Sequence, residues 1–333
     1  MSCSSCTTDR TGLLCLIIGM VTGMVLLLSC TAVTMPYGPR DPALTVTIND
    51  EVVLIAAAAR PLPVKIFYPG IGGPYPLIVL SHGTFSNRHR YDRIAEYWAG
   101  QGYVVMLPQH IDADYGVTPS SYDFMQNVVR MRAADMTLVL DSLEWIESAQ
   151  PTLKGRISHD TFIAAGHSIG TQVAMLVTGG RFRTAFNGAE MQADESRYRV
   201  LILISDPGKM RLMPLNMWQA AAVPTFMATG TEDYGLMGGR GAATEAQTEL
   251  LSLGVAPDAP RYELLLEHGD HYFGGLVQKE VDAEPDHEGL AIFNATSTAF
   301  LDAVIKQDPR AREYLDTVDL LAATGGRATL TSQ

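Results

Sequence analysis

FIAAGHSIGTQVAM (162–175) is the stretch that decides the fold. Phe162 to Ala165 is an apolar run of the kind made by a strand buried on both faces, and Thr171 to Gly179 carries helical spacing. Between them stands Gly166-His167-Ser168-Ile169-Gly170, a G-x-S-x-G. A strand that passes into a helix through these residues must turn sharply, and its two glycines let neighbouring backbone come close. The turn strains Ser168 and aims its hydroxyl outward at the amino terminus of the helix. There the Ile169 amide is placed to receive developing negative charge. Ser168 is the candidate nucleophile and Ile169 a candidate oxyanion donor.

Working outward from the elbow, strand-like and helix-like segments alternate. Upstream, Leu44 to Ile48 and Val52 to Ala56 read as strands, with a hairpin turning at Asn49-Asp50. Pro63 to Tyr68, Pro76 to Ser81 and Tyr103 to Pro108 are further strands, and Arg90 to Gly100 is a helix. Asp123 to Ser148 reads as one long helix, with Met131, Met136, Val139, Leu140, Leu143 and Ile146 on one face. Downstream, Val200 to Ile204, Pro224 to Thr229 and Tyr262 to Leu266 are strands, and Thr244 to Leu253 and Leu290 to Ile305 are helices. The alternation predicts the α/β class, with a mostly parallel sheet covered on both faces. No linker divides residues 43–333, which read as one domain.

Three loops at strand ends carry the remaining chemistry. Ser81-His82-Gly83-Thr84 follows the PLIVL strand, and the glycine permits a turn that points the Thr84 amide inward as a second oxyanion donor. Thr229-Gly230-Thr231-Glu232-Asp233 offers a carboxylate that can orient an imidazole. Asp233 is the preferred acid, Asp206 after the preceding strand is the alternative, and Glu232 is a third choice. Glu267-His268-Gly269-Asp270-His271-Tyr272-Phe273 supplies the general base. His271 is preferred because glycine and an aromatic pair surround it, and His268 is the alternative. The chain order serine, acid, histidine fits either choice. His268, Asp270 and His271 lack a further ligand at metal-site spacing, so no metal is expected. His110, Asp112 and Asp114 form another polar group, read as a loop at a strand end.

The stretches LIVLSHGTFSNR (77–88), GQGYVVMLPQH (100–110), FIAAGHSIGTQVAM (162–175), VPTFMATGTEDYG (223–235) and GDHYFGG (269–275) together resemble the α/β-hydrolases. The resemblance is to the group of dienelactone-hydrolase-like and platelet-activating-factor-acetylhydrolase-like proteins and cutinase-like polyester hydrolases. TAFLDAVIKQDPRAREYL (298–315) resembles that group's closing helix. The resemblance implies an α/β-hydrolase fold and a triad of Ser168, Asp233 and His271. It also implies an oxyanion hole from Thr84 and Ile169, and acyl transfer without a cofactor. Dienelactone hydrolases proper use a cysteine where this chain has Ser168, which favours the esterase branch. Many relatives have a second glycine where this chain has Thr171. The expected substrate is an uncharged ester, small or lipid-like, of short or medium acyl chain. Met210, Met213, Met217 and Trp218 could line its acyl pocket. A lipase or polyester hydrolase on the same triad is the alternative. An inactive binding protein on the same fold is the alternative of another class.

Composition supports these limits. The chain has 333 residues, is 47% hydrophobic and 18% charged, and carries a formal net charge of -12, so it can bury a large core and presents no basic footprint for a nucleic-acid partner. Its four cysteines, Cys3, Cys6, Cys15 and Cys30, precede the body, which excludes a thiol nucleophile or disulfide scaffold there. Leu13 to Leu28 is an apolar run short for a membrane span and apt for a signal peptide. Leu27-Leu28-Ser29-Cys30 resembles the lipobox of bacterial lipoproteins, making Cys30 the candidate lipidation site. Residues 1–30 are thus expected to be a signal peptide or membrane anchor and 31–42 a linker. The body is expected to be exported, then tethered at a membrane (periplasmic side or cell surface) or secreted.

Overall fold

The structure, a computed structural model, describes residues 37, 43–115, 122–183, 190–193, 195–205, 222–235, 239–240 and 259–333. These residues belong to one compact unit, Val33–Gln333.

The main sheet is built from nine strands among the described residues: β1 (Val46–Ala56), β2 (Arg60–Pro69), β3 (Tyr75–Ser81), β4 (Val104–Pro108), β5 (Ile157–His167), β6 (Tyr198–Ile204), β7 (Thr225–Gly230), β8 (Arg261–Leu266) and β9 (Ala328–Ser332). Their order across the sheet is β1-β2-β4-β3-β5-β6-β7-β8-β9. The strands from β4 to β8 run parallel. β2 is antiparallel to both neighbours, and β9 is antiparallel to β8. This is the α/β-hydrolase fold.

The central strands read as unbroken apolar runs because both faces are covered. Leu77, Val79, Ala164, Leu201 and Leu203 pack into one core with helices α2 (Tyr122–Asp141), α3 (Leu143–Ala149) and α4 (Ile169–Val177). Their neighbours Ile78, Leu80, Ile163, Ala165, Ile202 and Ile204 pack into a second core with α1 (Asp92–Gly100), α5 (His287–Val304) and α6 (Pro309–Thr317). Side chains alternate across a strand, so each strand feeds both cores. On the second face Tyr37 is buried: its hydroxyl donates to Asp302 Oδ2 at 2.8 Å and its ring lies against Tyr314.

Several local expectations change. Asn49-Asp50 is not a hairpin turn. Val46–Ala56 is one strand that pairs with β2 on both sides of a register shift, where the four residues from Asn49 to Val52 oppose three on β2, Ile66 to Val64. The extra residue makes a bulge in which Asp50 and Glu51 face Lys65 alone, and Asn49 Oδ1 accepts the Glu51 amide. The turn into β2 is Ala57–Ala59, with Ala58 and Ala59 at φ 58° and 57°. It carries neither glycine nor asparagine, so no turn signal marked it. The single helix expected from Asp123 to Ser148 is two, interrupted at Ser142. Met131 is 37% exposed rather than core, whereas Met136, Val139, Leu140, Leu143 and Ile146 are buried. No expectation anticipated β9, a short edge strand. The helix expected at Thr244 to Leu253 lies outside the described residues.

Candidate active site

The carboxyl ends of β3, β5, β7 and β8 bring the predicted loops to one edge of the parallel sheet, the edge where such folds bind ligands. Ser168 follows β5 directly and is fully buried, with φ 54° and ψ -125°. Positive φ is costly for any residue but glycine, and it persists here because the surroundings fix it. Ser168 N–H donates to Ile204 O of the adjacent strand at 2.9 Å, and the first turn of α4 closes on Ser168 O through Thr171. The flanking glycines are sterically required. A Cβ on Gly166 would overlap the Gly170 carbonyl, and one on Gly170 would overlap the Ser81 carbonyl. The elbow is thus packed against both the helix it starts and the loop after β3.

Asp233, after β7, is buried and meets His271, after β8: His271 Nδ1 lies 2.7 Å from Asp233 Oδ1. Thr229 Oγ1 donates to Asp233 Oδ2 at 2.9 Å, and the Ser205 side chain adds a further hydrogen bond. Burial alone would raise the Asp233 pKa. The hydrogen bond and charge of His271, with Thr229 and Ser205, outweigh it and hold the carboxyl below the ordinary range. A carboxylate there fixes the proton on Nδ1 and leaves Nε2 as the basic atom. Ser168 Oγ and His271 Nε2 are both buried without a hydrogen-bond partner among the described residues.

The alternative base, His268, lies apart from Asp233. The His268 side chain is 74% exposed and sits 3.4 Å from Glu232 Oε1, with φ 58°. Asp270 Oδ1 accepts the amides of Tyr272 and Gly274 and shapes the base loop. Asp206, Met210, Met213, Met217, Trp218 and Cys30 lie outside the described residues. Among the described residues, no group of three or more His, Cys, Asp or Glu side chains is placed to hold a metal ion.

The loop after β3 is held by groups that no local motif revealed. Arg132, fully buried on α2, places Nε and Nη2 2.8 and 2.6 Å from the two Asp112 oxygens. It also donates to His82 O, and to Gly83 O at 3.2 Å. The His82 ring bridges the same turn, with Nδ1 2.8 Å from Gly83 O and Nε2 accepting the His110 amide. A trans peptide is planar with its carbonyl and amide opposed. Fixing Gly83 O therefore fixes the direction of Thr84 N–H, for which no partner is found among the described residues. Gln278 Nε2 donates to Thr84 O at 3.3 Å. Beneath the loop, Ser81 Oγ, His110 and Asp135 form a buried chain, with His110 Nε2 3.0 Å from Ser81 and Nδ1 2.9 Å from Asp135, which also pairs with Arg60. Burial and then Arg132 hold the His82 and His110 imidazoles neutral, well below the ordinary histidine pKa. For Asp112, burial pushes upward, yet the Arg132 charge and hydrogen bonds hold the carboxyl well below its ordinary value. Burial dominates at Asp135 and raises it to about 6. One signal could have found Arg132: an arginine three residues before Asp135 and four before Met136, on a face expected to be apolar.

Two comparisons with known proteins accompany this geometry. A family model described as Chlorophyllase matches residues 43–192. Chlorophyllase-1 of Arabidopsis thaliana is 32% identical over 53 residues, which span 16% of this chain and 16% of that protein.

Proposed function

We propose that this chain is a serine carboxylic ester hydrolase. Ser168 attacks the ester carbonyl and passes its proton to His271 Nε2, while Asp233 steadies the resulting imidazolium through Nδ1. The amides of Thr84 and Ile169 bind the tetrahedral oxyanion. The alcohol leaves with the proton from His271. Water, deprotonated by the same nitrogen, then attacks the acyl-enzyme carbonyl and frees Ser168 and the acid. No step calls for a cofactor.

One observation carries this reading: Ser168, held in a positive-φ elbow, and His271, backed by Asp233, each present a buried polar atom without a partner. The Chlorophyllase match supports ester hydrolysis independently. It includes Thr84, Ser168 and Ile169 but ends before Asp233 and His271, so it bears on the nucleophile half of the site. The test is hydrolysis of p-nitrophenyl esters of graded acyl length, with chlorophyll as an added substrate. Short and medium acyl chains should be preferred, and Ser168→Ala should lower kcat by roughly 10³-fold or more. Ser168→Ala with wild-type activity overturns the mechanism.

Export is part of the same proposal. Leu27-Leu28-Ser29-Cys30 supports lipidation of Cys30 and a membrane tether. No helix among the described residues is long and apolar enough to cross a membrane. Radioactive palmitate should label the wild-type chain and not Cys30→Ala; equal labelling of both refutes the tether.

A further inference from the structure

The residue between the elbow glycine and the nucleophile, His167, is fully buried and bonded at both ring nitrogens. Its Nε2 lies 2.9 Å from the backbone oxygen of His271, and its Nδ1 lies 3.0 Å from the Tyr91 hydroxyl. The same hydroxyl accepts the Gly83 amide at 2.8 Å. The proton positions in this chain follow from valence. A carbonyl only accepts, so Nε2 of His167 carries a proton. An amide only donates, so the Tyr91 oxygen accepts from Gly83 and keeps its own proton to give. A neutral imidazole has one N–H, so Nδ1 is bare and takes the Tyr91 proton. Neutrality is secured by burial and by the His271 ring, whose centroid lies 4.9 Å from that of His167. Both effects push the His167 pKa down, to about 3.

We infer that Tyr91 and His167 are positioning residues that tie the loop bearing Thr84 to the backbone of His271 through one neutral, Nε2-protonated imidazole. The inference rests on the proposed ester hydrolysis for its consequence, though not for its geometry. The oxyanion loop follows β3, the nucleophile follows β5 and the base follows β8. These three chain segments are far apart in sequence, and the relay gives them a shared reference. It also keeps positive charge where it is needed. When His271 becomes an imidazolium, its neighbour has a bare nitrogen already engaged by Tyr91 and does not compete for the proton. Gly83 is consequently fixed at both ends, its amide by Tyr91 and its carbonyl by His82 and Arg132.

The test combines tautomer and kinetics. Nitrogen-15 NMR of histidine-labelled protein, with the His167 signals assigned by their loss in His167→Gln, should show one protonated and one bare ring nitrogen, unchanged from about pH 5 to 8. Ser168→Ala should give the same spectrum. Tyr91→Phe should shift the bare-nitrogen signal and lower kcat at least about tenfold, with KM within about twofold, because geometry at the reacting atoms is lost and substrate binding is not. His167→Leu should lose as much, and Tyr91→Phe added to it should cost little more, since the two act as one unit. His167→Gln, whose Nε2–H reaches the same carbonyl, should recover most of the loss. A proton on Nδ1 of His167, a Tyr91→Phe variant with wild-type kcat, or independent losses that multiply would overturn the relay. Absence of ester turnover in the wild type would instead refute the proposed function, and the tautomer would still decide the relay. If His167→Leu fails to fold, Tyr91→Phe and His167→Gln carry the test.

Discussion

Replacing Arg132 with methionine should destabilise the fold and loosen the loop after β3, and the two effects can be measured separately. Arg132 is fully buried, gives two hydrogen bonds to Asp112 and contacts the carbonyls of His82 and Gly83. Methionine replaces much of its volume but none of its donors. It leaves the buried Asp112 carboxylate with the Phe85 amide at 3.3 Å. Breaking a buried pair from one side costs about 3–5 kcal/mol, a large share of the roughly 5–15 kcal/mol that a domain has. The double variant Arg132→Met/Asp112→Leu removes both charges and should return to within about 1–2 kcal/mol of wild type in urea unfolding. Activity should behave differently. In both variants Gly83 O loses a donor, Thr84 N–H is free to swing, and kcat should fall about 10²-fold, the lower range for losing one oxyanion donor. The pH dependence has a defined sign. The Asp112 pKa is depressed in the folded protein from an ordinary 3.8. The stability contributed by the pair is therefore complete above that value and is lost as pH falls below it. In Arg132→Met the buried carboxylate has no cation, its pKa rises, and stability should instead improve as pH falls. Unfolding of Arg132→Met within about 1 kcal/mol of wild type, or full kcat in the double variant, would refute this role for Arg132.

Other perturbations separate roles that one assay would blur. Asp233→Asn should lower kcat by roughly 10⁴-fold, as expected when the acid no longer sets the imidazole tautomer, while Asp206→Asn should change it less than about threefold; the reverse ranking in ester hydrolysis moves the acid to Asp206. Ser168→Gly should abolish turnover yet raise unfolding free energy by about 1 kcal/mol, since glycine adopts φ 54° without strain. A loss of stability in that variant would show the elbow to be unstrained. Asp135 has a folded pKa of about 6 against an ordinary 3.8, so the native state holds the proton more tightly and stability should decline as pH rises between those values. Asp135→Asn should flatten that decline, worth roughly 3 kcal/mol at most; parallel pH profiles for the two proteins would refute the assignment.

The parts legible in the sequence are those whose cause is local. β5, the elbow and α4 announce themselves because a buried strand, two sterically required glycines and a helix follow within twenty residues. The parallel strands are legible from continuous apolar runs that serve both cores. The bulge in β1 and the Ala57–Ala59 turn were not, because pairing with β2 and not residue type sets them. The break at Ser142 had no proline or glycine to mark it. His271 and His268 stand three residues apart in similar loop sequence. What separates them is contact with Asp233 across 38 residues in one case and exposure beside Glu232 in the other.

The same distinction explains how the site is held. Each proposed chemical group sits on a loop, and loops are the mobile part of a fold unless something ties them down. Here the ties are buried polar chains: Arg132 to Asp112 and the Gly83 carbonyl, Ser81 through His110 to Asp135, and Gly83 through Tyr91 and His167 to the His271 backbone. Apolar packing could fill the same space, but it would leave the direction of an amide or an imidazole free within a few tens of degrees. Hydrogen bonds fix direction, and in a low-dielectric interior a broken one is expensive, so a fully paired network selects one geometry. Asp112, Arg132 and Asp135 are charged groups at the base of an otherwise apolar core, and burial raises their cost. A core built for stability alone would omit them. Their placement beneath Thr84 is intelligible if what they stabilise is the orientation of a single peptide bond.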